Sequence, residues 1–196
     1  MTFKLSGCIA AAALATLCVS TQAAVVTFSP LASPSQGAAG DGTTYLEGGL
    51  TFTSSITSPS ALYHWGTGQS YNADSTGATL FQNFPEQSMT VTKTGGGDFL
   101  LNSFDLADVY NTGAASVILF TYTDGSGAHT SNLTLDNLVG LQTFSFNQMV
   151  SSFSLRQDSP YFQIDNVTFD AGHVPEPASL ALLGLGLVAL RLNRRK

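Results

Sequence analysis

Charge is scarce in this 196-residue sequence. Asp, Glu, Lys and Arg together make up 10 % of it, against about 25 % in a typical soluble domain. A soluble coiled coil or helical bundle is thereby excluded, because its surface is built from Glu, Lys and Arg. Cations are scarcer still: 7 Lys and Arg stand against 13 Asp and Glu, and from 24 to 174 the only cations are Lys93 and Arg156. A nucleic-acid binder needs a basic face to displace counterions from phosphate, so no nucleic-acid partner is expected. Such an acidic segment makes divalent cations plausible partners instead. Catalytic signatures are missing as well. The sequence holds no Gly-x-Ser-x-Gly, no His-Glu-x-x-His, no P-loop and no dinucleotide-binding Gly-x-Gly-x-x-Gly ahead of a helix. His64, His129 and His173 are far apart in the chain and lack metal-ligand spacing.

What is present divides into two ends and a middle. The N-terminal stretch places Lys4 before an apolar run from Leu5 to Val19, and small residues follow. This is the order of a secretory signal peptide. Residues 1–23 are its expected extent, with signal peptidase cutting between Ala23 and Ala24. Cys8 and Cys18 both fall inside it. The exported chain then has no cysteine, and its core must be held by packing, or by packing and a metal, without disulfides.

The other end, 172–196, carries Val174, Pro175, Glu176 and Pro177, then an apolar stretch expected to be a helix over 178–192. It ends on Arg191, Arg194, Arg195 and Lys196. The two prolines keep the chain around Glu176 extended, as a protease cleft requires. The cations should hold their end of the helix in the cytoplasm, which makes this segment a transient anchor in the inner membrane. The combination resembles the PEP-CTERM sorting signal of Gram-negative bacteria. That resemblance implies recognition by an exosortase, a membrane-embedded cysteine transpeptidase. The enzyme removes the tail and passes the protein to the cell surface or extracellular matrix, in species that make exopolysaccharide.

The middle reads as β structure. Leu141–Phe146 alternates with period two, Ser116–Thr123 is β-branched and aromatic, and Asp124-Gly125-Ser126-Gly127 turns the chain into a returning strand over 129–135. Further strands are expected over 25–28, 50–54, 78–81, 89–93, 99–106, 150–155 and 161–169. Short strands at such spacing, with no helical period between them, predict an all-β fold: one β-sandwich or jelly roll over 44–171. It would be flanked by the signal-peptide helix and the short C-terminal hydrophobic helix. Residues 24–43 are expected to form a loose N-terminal arm, because 30–43 is poor in apolar residues. In the last strand Phe162 and Ile164 share one parity while Val167 and Phe169 share the other. A bulge near Asp165-Asn166 would put all four on one face.

Two constellations offer chemistry. Tyr63, His64, Trp65 and Tyr71 hold the sole tryptophan of the sequence. An exposed Trp65 with His64 and Tyr71 beside it would stack a sugar ring and bind its hydroxyls. A Trp65 buried as a plug in the sandwich is the alternative, and the one we place first. Tyr110 is a lesser candidate. The second constellation comes with a resemblance to galactose-binding-like jelly rolls. Its carriers are Tyr45-Leu46-Glu47-Gly48-Gly49-Leu50-Thr51-Phe52 and Phe162-Gln163-Ile164-Asp165-Asn166-Val167-Thr168-Phe169. The resemblance implies a structural calcium ion held by Glu47 and Asp165. Otherwise both are solvent-facing or turn-capping acids. The function expected from all this is a non-catalytic structural or carbohydrate-binding component of exopolysaccharide or biofilm. A small extracellular glycan-active hydrolase or lyase is the alternative.

Overall fold

The computed structural model describes residues 23–33, 37–157 and 161–170. The signal-peptide helix and the sorting motif, with helix 178–192 and its basic end, lie outside them. The described chain forms thirteen strands: β1 Ala24–Val26, β2 Ala38–Gly42, β3 Thr44–Glu47, β4 Leu50–Ser54, β5 Leu62–Trp65, β6 Thr79–Gln82, β7 Ser88–Lys93, β8 Phe99–Asp108, β9 Val117–Asp124, β10 Gly127–Thr134, β11 Gln142–Val150, β12 Ser152–Arg156 and β13 Phe162–Asp170. Among the described residues there is no α-helix, only one 3-10 turn at Ser29–Leu31, and no helix is long and apolar enough to cross a membrane.

The strands make two antiparallel sheets. One runs β11-β8-β13-β6-β5-β2, with β1 also paired to β13. The other runs β10-β9-β12-β7-β4-β3. The all-β sandwich is therefore what the strand spacing predicts. Its core is aromatic: Phe104 stacks on Phe153 at 5.4 Å, and Phe146 meets Phe120 at 4.6 Å and Phe104 at 4.8 Å. Aromatic pairs at these distances add to the area term of burial, and they supply packing where no disulfide does.

Strand β13 occupies the middle of its sheet and carries the bulge. Its register against β8 shifts between Asp165 and Thr168, and Asn166 takes a positive φ of 49°. The extra residue switches parity, so Phe162, Ile164, Val167 and Phe169 all reach the core. The bulge also splits one flank of β13: Gln163 and Ile164 pair with β6, and Val167–Phe169 pair with β1.

The N-terminal arm is a correction. Ala24–Val26 pairs with β13, Phe28 is fully buried in the core, and Ala38–Gly42 is an edge strand on β5. An edge strand is held by backbone hydrogen bonds, which small side chains do not weaken. At Gly40 the space is tight, since a Cβ there would come within 3.1 Å of the Tyr63 ring.

Candidate functional site

Alternation along β5 decides the fate of the first constellation. Leu62 and His64 point one way, Tyr63 and Trp65 the other. His64 is buried, and its Nδ1 lies 2.8 Å and 2.9 Å from the two carboxylate oxygens of Asp41 on the neighbouring strand. That pairing occupies the ring, so His64 is not presented to a ligand. Trp65 is only 8 % exposed. It stacks on Phe81 at 5.3 Å, and its Nε1 donates to the carbonyl of Val109 at 2.8 Å. Tyr63 is half-buried against Phe81. Of the two readings of Trp65, its burial matches the plug in the sandwich, the one placed first, and not the exposed ring.

The exposed aromatic surface lies one layer further out. Tyr71 sits 5.4 Å from Trp65, and Tyr110 sits 5.5 Å from Tyr71, edge to face. The two residues are 47 % and 46 % exposed. The result is a shelf of two solvent-facing tyrosines on a buried tryptophan.

Two residues that sequence reasoning missed hold this shelf. Gln163, fully buried on β13, donates from Nε2 to the carbonyls of Tyr71 at 2.9 Å and Asp108 at 2.8 Å. Its Oε1 accepts from Thr79 Oγ1 and from the Ala73 N–H. One amide thus ties together the loops that carry the two tyrosines. Asp108 ends β8 and accepts from the backbone N–H groups of Tyr110, Thr112, Gly113 and Ala114. The only sequence signal for Gln163 was a polar residue between Phe162 and Ile164 in a strand that reads as core.

The second constellation is rearranged. Glu47 accepts from the Tyr45 hydroxyl at 2.7 Å and from the Thr27 N–H at 3.3 Å. Burial first, and then the Glu47 carboxylate, push the Tyr45 hydroxyl well above the usual tyrosine range. Asp165, at the bulge, is completely buried. Its Oδ1 accepts from the Asn166 N–H at 2.7 Å, and its carboxyl shares a side-chain hydrogen bond with Asp74. Burial, with smaller contributions from the Asp74 and Asp105 carboxylates, pushes Asp165 up to about 8. So the acids that face Asp165 are Asp74 and Asp105, and Glu47 is engaged elsewhere. The donors around Asp165 are the oxygens a calcium ion takes, but calcium needs six to eight of them. Among the described residues no group of three or more His, Cys, Asp or Glu could hold a metal ion. A proton held on Asp165 answers the same electrostatic need.

One further cluster has the residue types of a hydrolase. Asp124, Ser126 and His129 meet at the β9–β10 turn. Ser126 Oγ lies 2.6 Å from Asp124 Oδ1 and 2.9 Å from His129 Nε2, which in turn lies 3.1 Å from Asp124 Oδ1. In a catalytic triad the serine and the aspartate use opposite ring nitrogens. Here both use Nε2, which is the geometry of a turn held by its own side chains. The Ser126 hydroxyl, then its N–H, pull Asp124 down to about 2.

Comparison with known proteins bears on the two parts of the chain separately. Residues 173–196 match the family model of the PEP-CTERM protein-sorting motif. The chain therefore carries that motif, which marks an exported protein processed at the membrane by exosortase and sorted to the surface. A comparison with curated protein sequences finds no match. Among solved structures, the family 32 carbohydrate-binding module of C. perfringens NanJ, in complex with galactose, is 14 % identical. It covers 64 % of this chain and 98 % of its own, with a TM-score of 0.39. A second such module from Clostridium perfringens, in complex with GalNAc-β-1,3-galactose, is 16 % identical over 65 % of this chain and 99 % of its own, with a TM-score of 0.38. The module of AlyQ, in complex with 4,5-unsaturated mannuronic acid, is 16 % identical over 48 % of this chain and 78 % of its own, with a TM-score of 0.35.

Proposed function

We propose that this protein is a non-catalytic, glycan-binding component of the exopolysaccharide matrix, delivered there after exosortase removes its tail. The observation that carries the binding role is the shelf of Tyr71 and Tyr110. A tyrosine offers solvent both an apolar ring face and a hydroxyl that can hydrogen-bond. Flat rings suit the C–H faces of a sugar, and the Gln163 anchor holds both rings in place before a ligand arrives, which lowers the entropy cost of binding.

The test uses the full chain in mild detergent and exopolysaccharide from the host as ligand. Tyr71→Ala and Tyr110→Ala should each weaken retention by about tenfold, or about 1.4 kcal/mol, with the melting temperature little changed. Retention that survives removal of both rings would sink the reading.

The sorting half is tested separately. Replacing Glu176 and Pro177 by alanine should leave the tail attached when the protein is made in an exosortase-bearing host. Mass spectrometry of the surface fraction reads the outcome, and normal tail loss in this variant would count against processing at the motif.

A further inference from the structure

The chain enters and leaves the sandwich at the same end. It enters β1 at Ala24 and leaves β13 at Asp170, and Ala24 lies opposite Phe169. The signal-peptidase cut expected between Ala23 and Ala24 falls at this end. So does the approach to the sorting motif, matched from residue 173 onward. The strand connections beside these two points are short: residues 48–49, 94–98, 125–126 and Ser151 alone. Register places them together, with Asp170 opposite Leu100, Leu50 opposite Lys93 and Thr123 opposite Ser152. These turns form the base of the sandwich.

The tyrosine shelf is at the opposite end. Gln163, which ties its loops, stands at the start of β13, and Asp170 ends that strand. Along β13 the two are about 23 Å apart, from a rise of 3.3 Å per residue. From Asp170 to Pro175 the chain reaches at most about 18 Å, because no residue advances it by more than 3.6 Å. A cleft that holds Pro175 and Glu176 is therefore within reach of the base, and the body of the enzyme around that cleft meets the base before any other part of the domain.

Charge favours a protein partner over lipid at this face. Glu47, Asp98, Asp124 and Asp170 stand at the base against Lys93. Anionic headgroups repel such an excess of acids. The longest of the turns also projects freely: Gly95, Gly96 and Gly97 all have φ of 85°, and a Cβ on any of them would meet nothing within 4 Å.

We propose that the base is the docking face for exosortase: the domain is folded when its tail is cut, its base rests on the enzyme, and the tyrosine shelf points away from the membrane. This rests on tail removal by exosortase, which the replacement of Glu176 and Pro177 tests by itself.

The experiment follows tail removal by mass spectrometry of the full chain in an exosortase-bearing host. A small folded domain inserted after Gly96 should slow removal by at least about tenfold, through displacement of the motif from the cleft. The same insertion after Leu138, an exposed residue at the shelf end, should leave removal at the wild-type rate. A Gly-Ser linker of about 15 residues placed after Asp170 adds about 20 Å of reach and should restore removal in the Gly96 insertion. Deleting Ala171 and Gly172 touches none of the thirteen strands and shortens the reach by about 7 Å, so it should slow removal as well. Wild-type removal in a folded Gly96 insertion, or in the deletion, overturns the proposal. So does equal loss with the insertion after Leu138, or failure of the linker to restore removal. A wild-type chain that keeps its tail sinks the sorting reading and this inference with it.

Discussion

Trp65→Ala should destabilise the domain by about 3–5 kcal/mol, the usual cost of emptying a large aromatic site. The ring is packed on Phe81 and capped by Tyr71, so its removal leaves a hole between two layers. The Val109 carbonyl also loses the indole N–H. For a domain of this size the melting temperature should fall by roughly 6–20 °C. Trp65→Phe keeps most of the packing and loses the hydrogen bond, so it should cost about 1 kcal/mol beyond the volume it gives up. The two variants separate the roles. A Trp65→Ala protein with wild-type stability and no glycan retention would make Trp65 a contact residue, contrary to its burial. Lost retention together with lost stability makes it the support on which Tyr71 and Tyr110 rest.

The second large effect is a pH dependence. Asp165 holds its proton up to about pH 8 in the folded domain, whereas its ordinary value is 3.8. Below about pH 4 both folded and unfolded chains are protonated there, and the stabilisation is complete. As pH rises the unfolded chain gives up its proton first. Stability then falls by about 1.4 kcal/mol for each pH unit, until the folded domain also loses the proton near pH 8. The full span is on the order of 5 kcal/mol. Asp165→Asn keeps an oxygen for the Asn166 N–H and never ionises. Its melting temperature should be nearly flat from pH 5 to 8 and should exceed that of the wild type at pH 8. Asp124, held at about 2, acts in the opposite sense, and only below this window. A wild-type melting temperature that does not fall from pH 5 to 8 would show that Asp165 is ionised in the fold. A rise on adding calcium at pH 7, lost in Asp165→Asn, would show that a cation takes the proton's place.

How much of this was legible in the sequence depends on the range of the interactions. The β13 bulge could be read from the parity of Phe162, Ile164, Val167 and Phe169, because parity is a property of neighbours. The β9–β10 hairpin announced itself at Asp124–Gly127 for the same reason. Strand β2 did not, since Ala38–Gly42 has no alternation and is held by its pairing to β5. The exposed shelf was half visible. Tyr71 stood among the candidates, and Tyr110 was a lesser one. That Trp65 lies beneath them is set by Phe81 and Val109, residues distant in the chain. Gln163 bonds to the Tyr71 loop, 92 positions away, and no local pattern carries such a contact.

The position of β13 has a consequence for how the chain folds. The last strand lies at the centre of its sheet, and the first strand is pinned to it, with Ala24 opposite Phe169. Before residues 162–170 arrive, β8 and β6 have no common neighbour and β1 has nothing to pair with. Folding of that sheet therefore waits on contacts between opposite ends of the chain, and such non-local pairing is slow. Until residues 162–170 are available, the sheet therefore lacks the one strand to which β8, β6 and β1 all pair.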